Sequence, residues 1–186
     1  MKMTPSYIRY PKLLLLILSF GVAVVLFYEG KTYQPVHDFL ISLDYAGILL
    51  AGAMYAYGFT AAPATAILLV IAKEQNQFLA ILLGGFGALL SDLVIFLFLK
   101  HTFIDEMNQL SDEKLFRHAK QKVQRFFPRY VVISFAGFLI ASPLPTEIGI
   151  TLLAALKSLS VKKFMLIAYP LHTAGISVVI LTSNLI

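Results

Sequence analysis

Five long apolar stretches, separated by short polar connections, divide this chain of 186 residues. They lie near positions 11–28, 46–72, 77–99, 131–156 and 164–184. A helix that crosses a membrane needs roughly 20 apolar residues, and the first, third and fifth stretches meet this length. The pattern therefore predicts three membrane-spanning helices.

The second and fourth stretches each carry a helix breaker near the middle. In one the breaker runs from Gly58 through Pro63, and in the other it is the two-proline segment 142–145. Proline removes a backbone donor and clashes with the preceding turn. Each stretch should therefore split into two legs of roughly 9–12 residues, which reach only about half of the hydrocarbon thickness. Each is either one kinked span or a re-entrant hairpin that enters and leaves on the same side.

The basic residues decide between these alternatives, because cytoplasmic loops carry an excess of lysine and arginine. If both broken stretches are re-entrant and the N-terminus is inside, 13 of the 15 basic residues lie inside, and only Lys31 and Lys73 lie outside. If all five stretches span, the split is 7 inside to 8 outside, or 8 to 7 with the N-terminus outside. The charge distribution therefore favours two re-entrant hairpins.

This topology predicts an all-α integral membrane protein with a single membrane domain, 1–186. It comprises an anchor helix (1–30), repeat one (45–99), a cytoplasmic basic amphipathic linker (100–129) and repeat two (130–184). Each repeat is a re-entrant hairpin followed by a transmembrane helix. The two repeats are inverted, and inverted repeats place a substrate site at their interface near the midplane. The internal similarity lies in hydropathy and breaker position, so a chance resemblance stays an alternative.

The N-terminal stretch is expected to be a retained anchor. Lys2, Arg9 and Lys12 precede it, as in a signal peptide, but the small-residue cleavage site is missing. The expected location is the plasma membrane, with the N-terminus in the cytoplasm.

Composition fits a membrane protein and excludes several classes of function. Hydrophobic residues make up 59% and charged residues 13%, whereas soluble domains carry about 25% charged residues. A soluble globular enzyme and a disordered chain are therefore excluded. There are no cysteines, and the four histidines show no ligand spacing, so neither a metal nor a cofactor is predicted. No nucleotide or hydrolase motif appears, so no enzyme is expected, and the net charge of +5 indicates topology and not nucleic-acid binding.

Asp92 is the first of three ionisable residues inside the apolar stretches, where such residues mark functional sites by default. It follows Ala80, Gly84 and Ala88 at intervals of four, which places all four on one helix face. Small residues at this spacing allow helices to approach closely, so Asp92 should point into the bundle. It either takes part in transport or caps a broken helix.

Glu147 and His172 are the other two such residues. Glu147 either takes and releases a proton during transport or stabilises a helix N-terminus. His172 either relays a proton or makes an interhelical hydrogen bond.

The hairpin tips are the predicted substrate site. The outgoing legs are expected to begin near mid-membrane, after Pro63 and Pro145, so that their unpaired N–H groups and positive dipole ends face each other. Paired helix N-termini of this kind bind phosphate or carboxylate, which indicates an anionic substrate. The predicted tip residues are Thr60, Pro63, Pro143, Pro145 and Thr146.

Positions 101–129 form the one polar region of any length. Apolar and basic positions there predict an amphipathic helix lying on the inner leaflet and attracted to anionic lipid. Arg125 and Arg129 are its candidate lipid contacts. A solvated connector whose charges only set topology fits the charge pattern equally well.

Two segments resemble motifs of the DedA family, also called the VTT or SNARE-associated domain. Segment 142–149 (SPLPTEIG) is similar to the family's proline–proline–acid hairpin motif, and segment 84–92 (GGFGALLSD) to its Gly-Ala…Gly-Asp helix start. The resemblance covers about residues 31–184. In the family the acidic motif belongs to the first hairpin and an arginine motif, similar to Arg125-Phe-Phe-Pro-Arg129, to the second. Here the acid lies in hairpin two, so only Glu147, and after it Asp92, are carried over.

The resemblance implies two inward-facing re-entrant hairpins and movement of lipid or lipid phosphate, such as an undecaprenyl-phosphate-type carrier or a phospholipid. Proton coupling is left open. A small-solute, proton-coupled exporter and a non-transporting assembly or interaction protein are the alternatives. The expected partners are membrane lipids, anionic or phosphate-bearing, and homo-oligomers are left open.

Overall fold

The chain folds into helices throughout the part that the computed structural model describes, residues 11–110, 129–141, 146–154 and 159–185. Only the backbone is described at 11–13, 101–110, 129 and 147. The elements are α1 (Pro11–Thr32), α2 (Gln34–Ser42), α3 (Asp44–Tyr55), α4 (Ala61–Glu74), α5 (Gln77–Leu110), α6 (Arg129–Ala141), α7 (Thr146–Ala154), α8 (Val161–Thr182) and a final 3₁₀ turn (Ser183–Leu185). The all-α prediction is confirmed for these residues.

Among the described residues, three helical segments are long and apolar enough to cross a membrane. They are Leu14–Thr32, Gln77–Lys100 and Val161–Leu185, which match the first, third and fifth predicted stretches. A fourth crossing is available only if α2 and α3, which are bent by 90° relative to each other, count as one broken span. Length and composition therefore fit an integral membrane protein.

The pattern of apolar positions did not predict α2, a nine-residue helix that packs on α1 and α4. The chain turns from α2 into α3 at Asp44, whose φ is +49°. Aspartate adopts this left-handed conformation more readily than most residues, so the sharp bend falls on a residue that tolerates it.

The second apolar stretch forms α3 and α4, which pack against each other. Their 12 and 14 residues correspond to about 18 and 21 Å, which is less than a hydrocarbon core of about 30 Å. The expected break is present, but the expectation that the outgoing leg begins after Pro63 is wrong, because α4 begins at Ala61. Pro63 occupies the first turn of α4, where a missing N–H costs little.

The fourth apolar stretch is divided in the same way. It forms α6, with 13 residues, and α7, with 9 residues, which also pack against each other. Pro143 and Pro145, predicted as tip residues, lie between them and outside the described residues. The outgoing helix α7 begins at Thr146.

The two long helices α5 and α8 run antiparallel. At one end Gln77 Nε2 donates to Asn184 Oδ1 at 2.7 Å, and Asn184 Nδ2 donates to Gln77 Oε1 at 3.2 Å. At the other end Lys100 Nζ donates to the carbonyl of Leu159 at 2.8 Å, just before α8 begins. Helix α5 continues past Lys100 to Leu110, so it extends into the predicted linker, of which 111–128 lie outside the described residues.

Glycines allow α3 and α5 to touch through their backbones. A side chain at Gly52 of α3 would overlap the backbone of Gly84, and one at Gly87 of α5 would overlap the carbonyl of Leu49. In lipid the hydrophobic effect does not drive helices together, so close packing of this kind is a main source of helix association.

The other helix contacts follow one scheme. The first helix of each broken stretch packs on the long helix that follows it: α3 packs on α5, and α6 packs on α8. The second helix packs on the other long helix: α4 packs on α8, and α7 packs on α5. Helices α5 and α8 also pack on each other. Helix α1 lies at the periphery against α4, and its remaining surface exposes apolar side chains such as Leu14, Ile17 and Val24. Such a surface suits contact with lipid and not with water.

Candidate functional site

Asp92 of α5 and His172 of α8 form a fully buried pair. His172 Nε2 lies 2.6 Å from Asp92 Oδ2, and neither side chain has any exposed surface. By helix rise, Asp92 is about 22 Å from Gln77 and about 12 Å from Lys100, well inside the candidate span. A charged group at this depth is costly unless it is paired and hydrogen-bonded, and the imidazole provides that partner.

Helix α5 directs Asp92 inward through the spacing of its small residues. Ala80, Gly84, Ala88 and Asp92 are all buried, as the interval of four predicts. On the adjoining side, a Cβ at Gly85 would overlap the hydroxyl of Thr173. The two helices therefore approach closely beside His172, which lets the short aspartate side chain reach the imidazole.

Thr146, the first residue of α7, links this pair to the turn between α3 and α4. Its hydroxyl donates to the carbonyl of Ala56, which follows α3, and its oxygen also lies 3.4 Å from Asp92 Oδ1. Thr146 and Ala56 are fully buried. Because Ala56 begins the turn between α3 and α4, and Thr146 begins α7, this turn and the start of α7 meet at Asp92.

Asp92 therefore lies beside the start of α7, where backbone N–H groups lack intrahelical partners and the helix dipole is positive. A carboxylate is stabilised at such a position. The same carboxylate accepts the hydrogen bond from His172. The carboxylate thus interacts both with the N–H group of His172 and with the positive end of α7, and its protonation would weaken both interactions.

Three polar atoms next to this pair, in sequence or in space, have no hydrogen-bond partner among the described residues. They are Tyr55 Oη, Ser91 Oγ and His172 Nδ1. Tyr55 Oη lies 3.6 Å from the position that a Cβ of Gly175 would take, one turn after His172. A buried polar atom is costly unless it is hydrogen-bonded, so these atoms leave hydrogen-bonding capacity unused in the interior.

The contact with the Asp92 carboxylate selects a tautomer of His172. A neutral imidazole with its hydrogen on Nε2 donates to Asp92 and leaves only an acceptor lone pair at Nδ1. The other tautomer would direct the Nε2 lone pair at a carboxylate that can only accept, and it would bury an unpaired N–H donor at Nδ1. We therefore assign Nε2–H to the bond with Asp92, from hydrogen-bond geometry.

The remaining residues predicted for the site lie in different parts of the fold. Glu147 is the second residue of α7, and its side chain lies outside the described part. Thr60 precedes α4, and its hydroxyl donates to the carbonyl of Met54 at 2.6 Å, so it closes the turn and does not cap α4. Arg129 begins α6, and Arg125 lies outside the described residues.

Sequence reasoning missed Tyr55 and Ser91. Ser91 directly precedes Asp92, and Tyr55 ends α3 after a run, 46–54, that has no polar side chain. One general feature could have indicated Tyr55. A buried tyrosine hydroxyl usually finds a hydrogen-bond partner, so a tyrosine within an apolar run is a candidate for a buried polar contact.

Within the described ranges, no group of three or more histidine, cysteine, aspartate or glutamate side chains is arranged to hold a metal ion. Comparison with models of protein families, with curated proteins and with solved structures finds no match to this chain. The functional argument therefore rests on the residues themselves.

Proposed function

We propose that this protein moves a lipid or a lipid phosphate across the membrane, through two hairpin-plus-helix units of opposite orientation. The observation that carries the proposal is the buried Asp92–His172 pair at the point where the turn between α3 and α4 meets the start of α7. Ionisable residues at membrane depth typically mark transport pathways and proton relays. In inverted-repeat transporters this point, between the units, is where substrate binds.

The scheme of helix contacts supports the two-unit proposal. Exchanging α3, α4 and α5 for α6, α7 and α8 turns the α3–α5, α3–α4 and α4–α8 contacts into the α6–α8, α6–α7 and α7–α5 contacts and keeps the α5–α8 contact. In a topology with five consecutive spans, α5 and α8 would run in the same direction, because one crossing would separate them. The bonds that join Gln77 to Asn184 make them antiparallel, which favours re-entrant hairpins.

Helix α1 gives a measure of how deep the first hairpin reaches. Ser19 donates to the carbonyl of Phe59 in the hairpin turn, and Gly30 lies beside Val70 near the end of α4. Within the span Leu14–Thr32, Ser19 is about 8 Å from the first residue and about 20 Å from the last. The turn therefore passes the middle of the span without reaching its far end, as a re-entrant hairpin would.

In the proposed mechanism, Asp92 couples proton binding to anion binding. As a carboxylate, Asp92 occupies the positive start of α7. A phosphate group would bind at the same kind of position, so the two negative groups compete for it. A proton that arrives at His172 Nδ1 allows the ring to pass its Nε2 hydrogen to Asp92. The neutral carboxyl group then no longer repels the phosphate, so proton and anion enter the site together.

The proposal is tested with the purified protein in liposomes, by following a fluorescent lipid phosphate under an imposed pH gradient. Asp92→Asn keeps the size of the side chain and removes its proton chemistry, so we expect transport that no longer responds to the gradient. The matched control is Asp38→Asn, which neutralises a side chain that is 66% exposed on α2. A wild-type gradient response in Asp92→Asn would disprove the coupling role.

Two other results would replace the proposal. Movement of a water-soluble anion without lipid movement would indicate a proton-coupled exporter. Absence of any transport by the wild type would favour the non-transporting interaction protein.

We also propose that the chain is a divergent member of the DedA family, located in the plasma membrane with its N-terminus in the cytoplasm. Glu147 stays a proposed proton carrier, supported by its position next to Thr146 in sequence. Glu147→Gln should abolish transport in a protein that still folds, and retained transport would remove that role.

A further inference from the structure

An apolar groove lies between α1 and α4, away from the Asp92–His172 pair. Its volume is about 720 Å³, and its walls include Phe20, Val24 and Phe27 of α1 and Ala62 and Leu69 of α4. On α1 the lining runs from residue 16 to residue 28, or about 18 Å by helix rise. This is close to the depth of one leaflet, half of a hydrocarbon core of about 30 Å.

The lining of the groove suits a hydrocarbon chain. Nearly all of the lining side chains are apolar, and an extended hydrocarbon chain can follow them over the length of about 18 Å.

One end of the groove adjoins a polar pocket of about 300 Å³. Its lining includes Lys31, His37, Lys73 and Glu74, and it shares Leu69 with the groove. The two lysines outweigh the one glutamate, so the lining carries a positive charge.

Lys31 and Lys73 lie in the last turns of α1 and α4, where the apolar segments end. Lys31 Nζ lies 4.4 Å from the ring centre of Phe27, directly above the groove. His37 Nδ1 is buried without a hydrogen-bond partner in the described part of the chain, although the exposed Asp38 carboxylate is 3.7 Å away. A set of basic groups above an apolar slot matches a molecule with an anionic head and a hydrocarbon tail.

We propose that this groove binds one acyl chain of an anionic lipid, with the headgroup held by Lys31, Lys73 and His37. The site is separate from the Asp92–His172 pair, and the proposal holds whether or not the protein moves lipid.

The chain contains no tryptophan, so a single introduced tryptophan reports on its own surroundings. Phe20→Trp places the reporter in the groove, six residues from Leu14. Val94→Trp is the control, because this side chain lies outside the groove and is 66% exposed. It lies six residues from Lys100, which ends its candidate span, just as Phe20 lies six residues from Leu14, which begins the span of α1. Both proteins are placed in phosphatidylcholine vesicles that contain a minor fraction of brominated phosphatidylglycerol or brominated phosphatidylcholine.

We expect brominated phosphatidylglycerol to quench the reporter at position 20 roughly tenfold more effectively than brominated phosphatidylcholine, given two lysines partly offset by one glutamate. At position 94, outside the groove, the preference for brominated phosphatidylglycerol should be smaller, and it should not change when Lys31 and Lys73 are replaced. Lys31→Gln with Lys73→Gln should abolish the preference, and Lys31→Arg with Lys73→Arg should retain it. Equal quenching by both lipids at position 20 would overturn the proposal. Absence of quenching there would also overturn it, because protein would then cover the groove.

Discussion

Replacing His172 with leucine tests how the buried pair contributes to stability. The change removes the N–H group 2.6 Å from Asp92 Oδ2 and leaves the carboxylate without exposure to water. Removing the hydrogen-bond partner of a buried carboxylate costs about 3 kcal/mol, because the negative charge stays buried. His37→Leu, the matched control, removes a half-buried imidazole 3.7 Å from an exposed carboxylate and should cost less than about 1 kcal/mol.

The double variant separates a paired charge from simple loss of contact. Asp92→Leu combined with His172→Leu removes both partners and leaves no buried charge. Replacing a buried pair with apolar residues is often neutral, so the double variant should be more stable than His172→Leu by about 2 kcal/mol. The additional change Asp92→Leu should raise the stability of the His172→Leu variant only if the two side chains interact in the wild type.

The measurement is the equilibrium unfolding of each purified protein in mixed micelles with increasing SDS, followed by circular dichroism. Equal stability of His172→Leu and the double variant would refute the buried pair, as would a cost for His172→Leu no larger than that for His37→Leu. The helix content of all variants before SDS addition checks that the folded states are comparable.

Two further predictions concern topology and packing. Because α5 and α8 are antiparallel, cysteines introduced at Glu74 and Asn184 should both react with an impermeant thiol reagent in intact cells, and one at Lys163 should not. Labelling at 184 without labelling at 74 would contradict this arrangement. Gly52→Ala should destabilise the protein by at least about 2 kcal/mol, since its Cβ would overlap backbone of α5, whereas Gly21→Ala, with nothing within 4 Å, should be neutral or stabilising in the same SDS titration.

Residue spacing alone predicted much of the helical framework. Three uninterrupted apolar stretches became the three helices that are long enough to span, because one continuous run of about 20 residues has few other folds available in lipid. The interval of four that joins Ala80 to Asp92 placed the carboxylate inside, because that spacing keeps side chains on one helix face.

Local rules were less reliable at helix ends. They placed the start of the outgoing leg after Pro63, but α4 begins at Ala61, two residues before that proline, because proline is compatible with a first helical turn. They also ended the third stretch near position 99, whereas α5 continues to Leu110. Hydropathy sets neither boundary. A proline can lie within the first helical turn, and a helix can continue after its surroundings change from lipid to water.

The sequence by itself determined the class of protein, the number of long spans and which face of α5 is buried, because these follow from neighbours a few positions apart. Only the tertiary structure decided that Asp92 meets His172, 80 positions away, and that Thr146 reaches Ala56, 90 positions away. Those contacts depend on how closely glycines let the helices approach and on the antiparallel direction of α5 and α8. Neither property can be read from a single helix, because packing between helices is set by both partners at once.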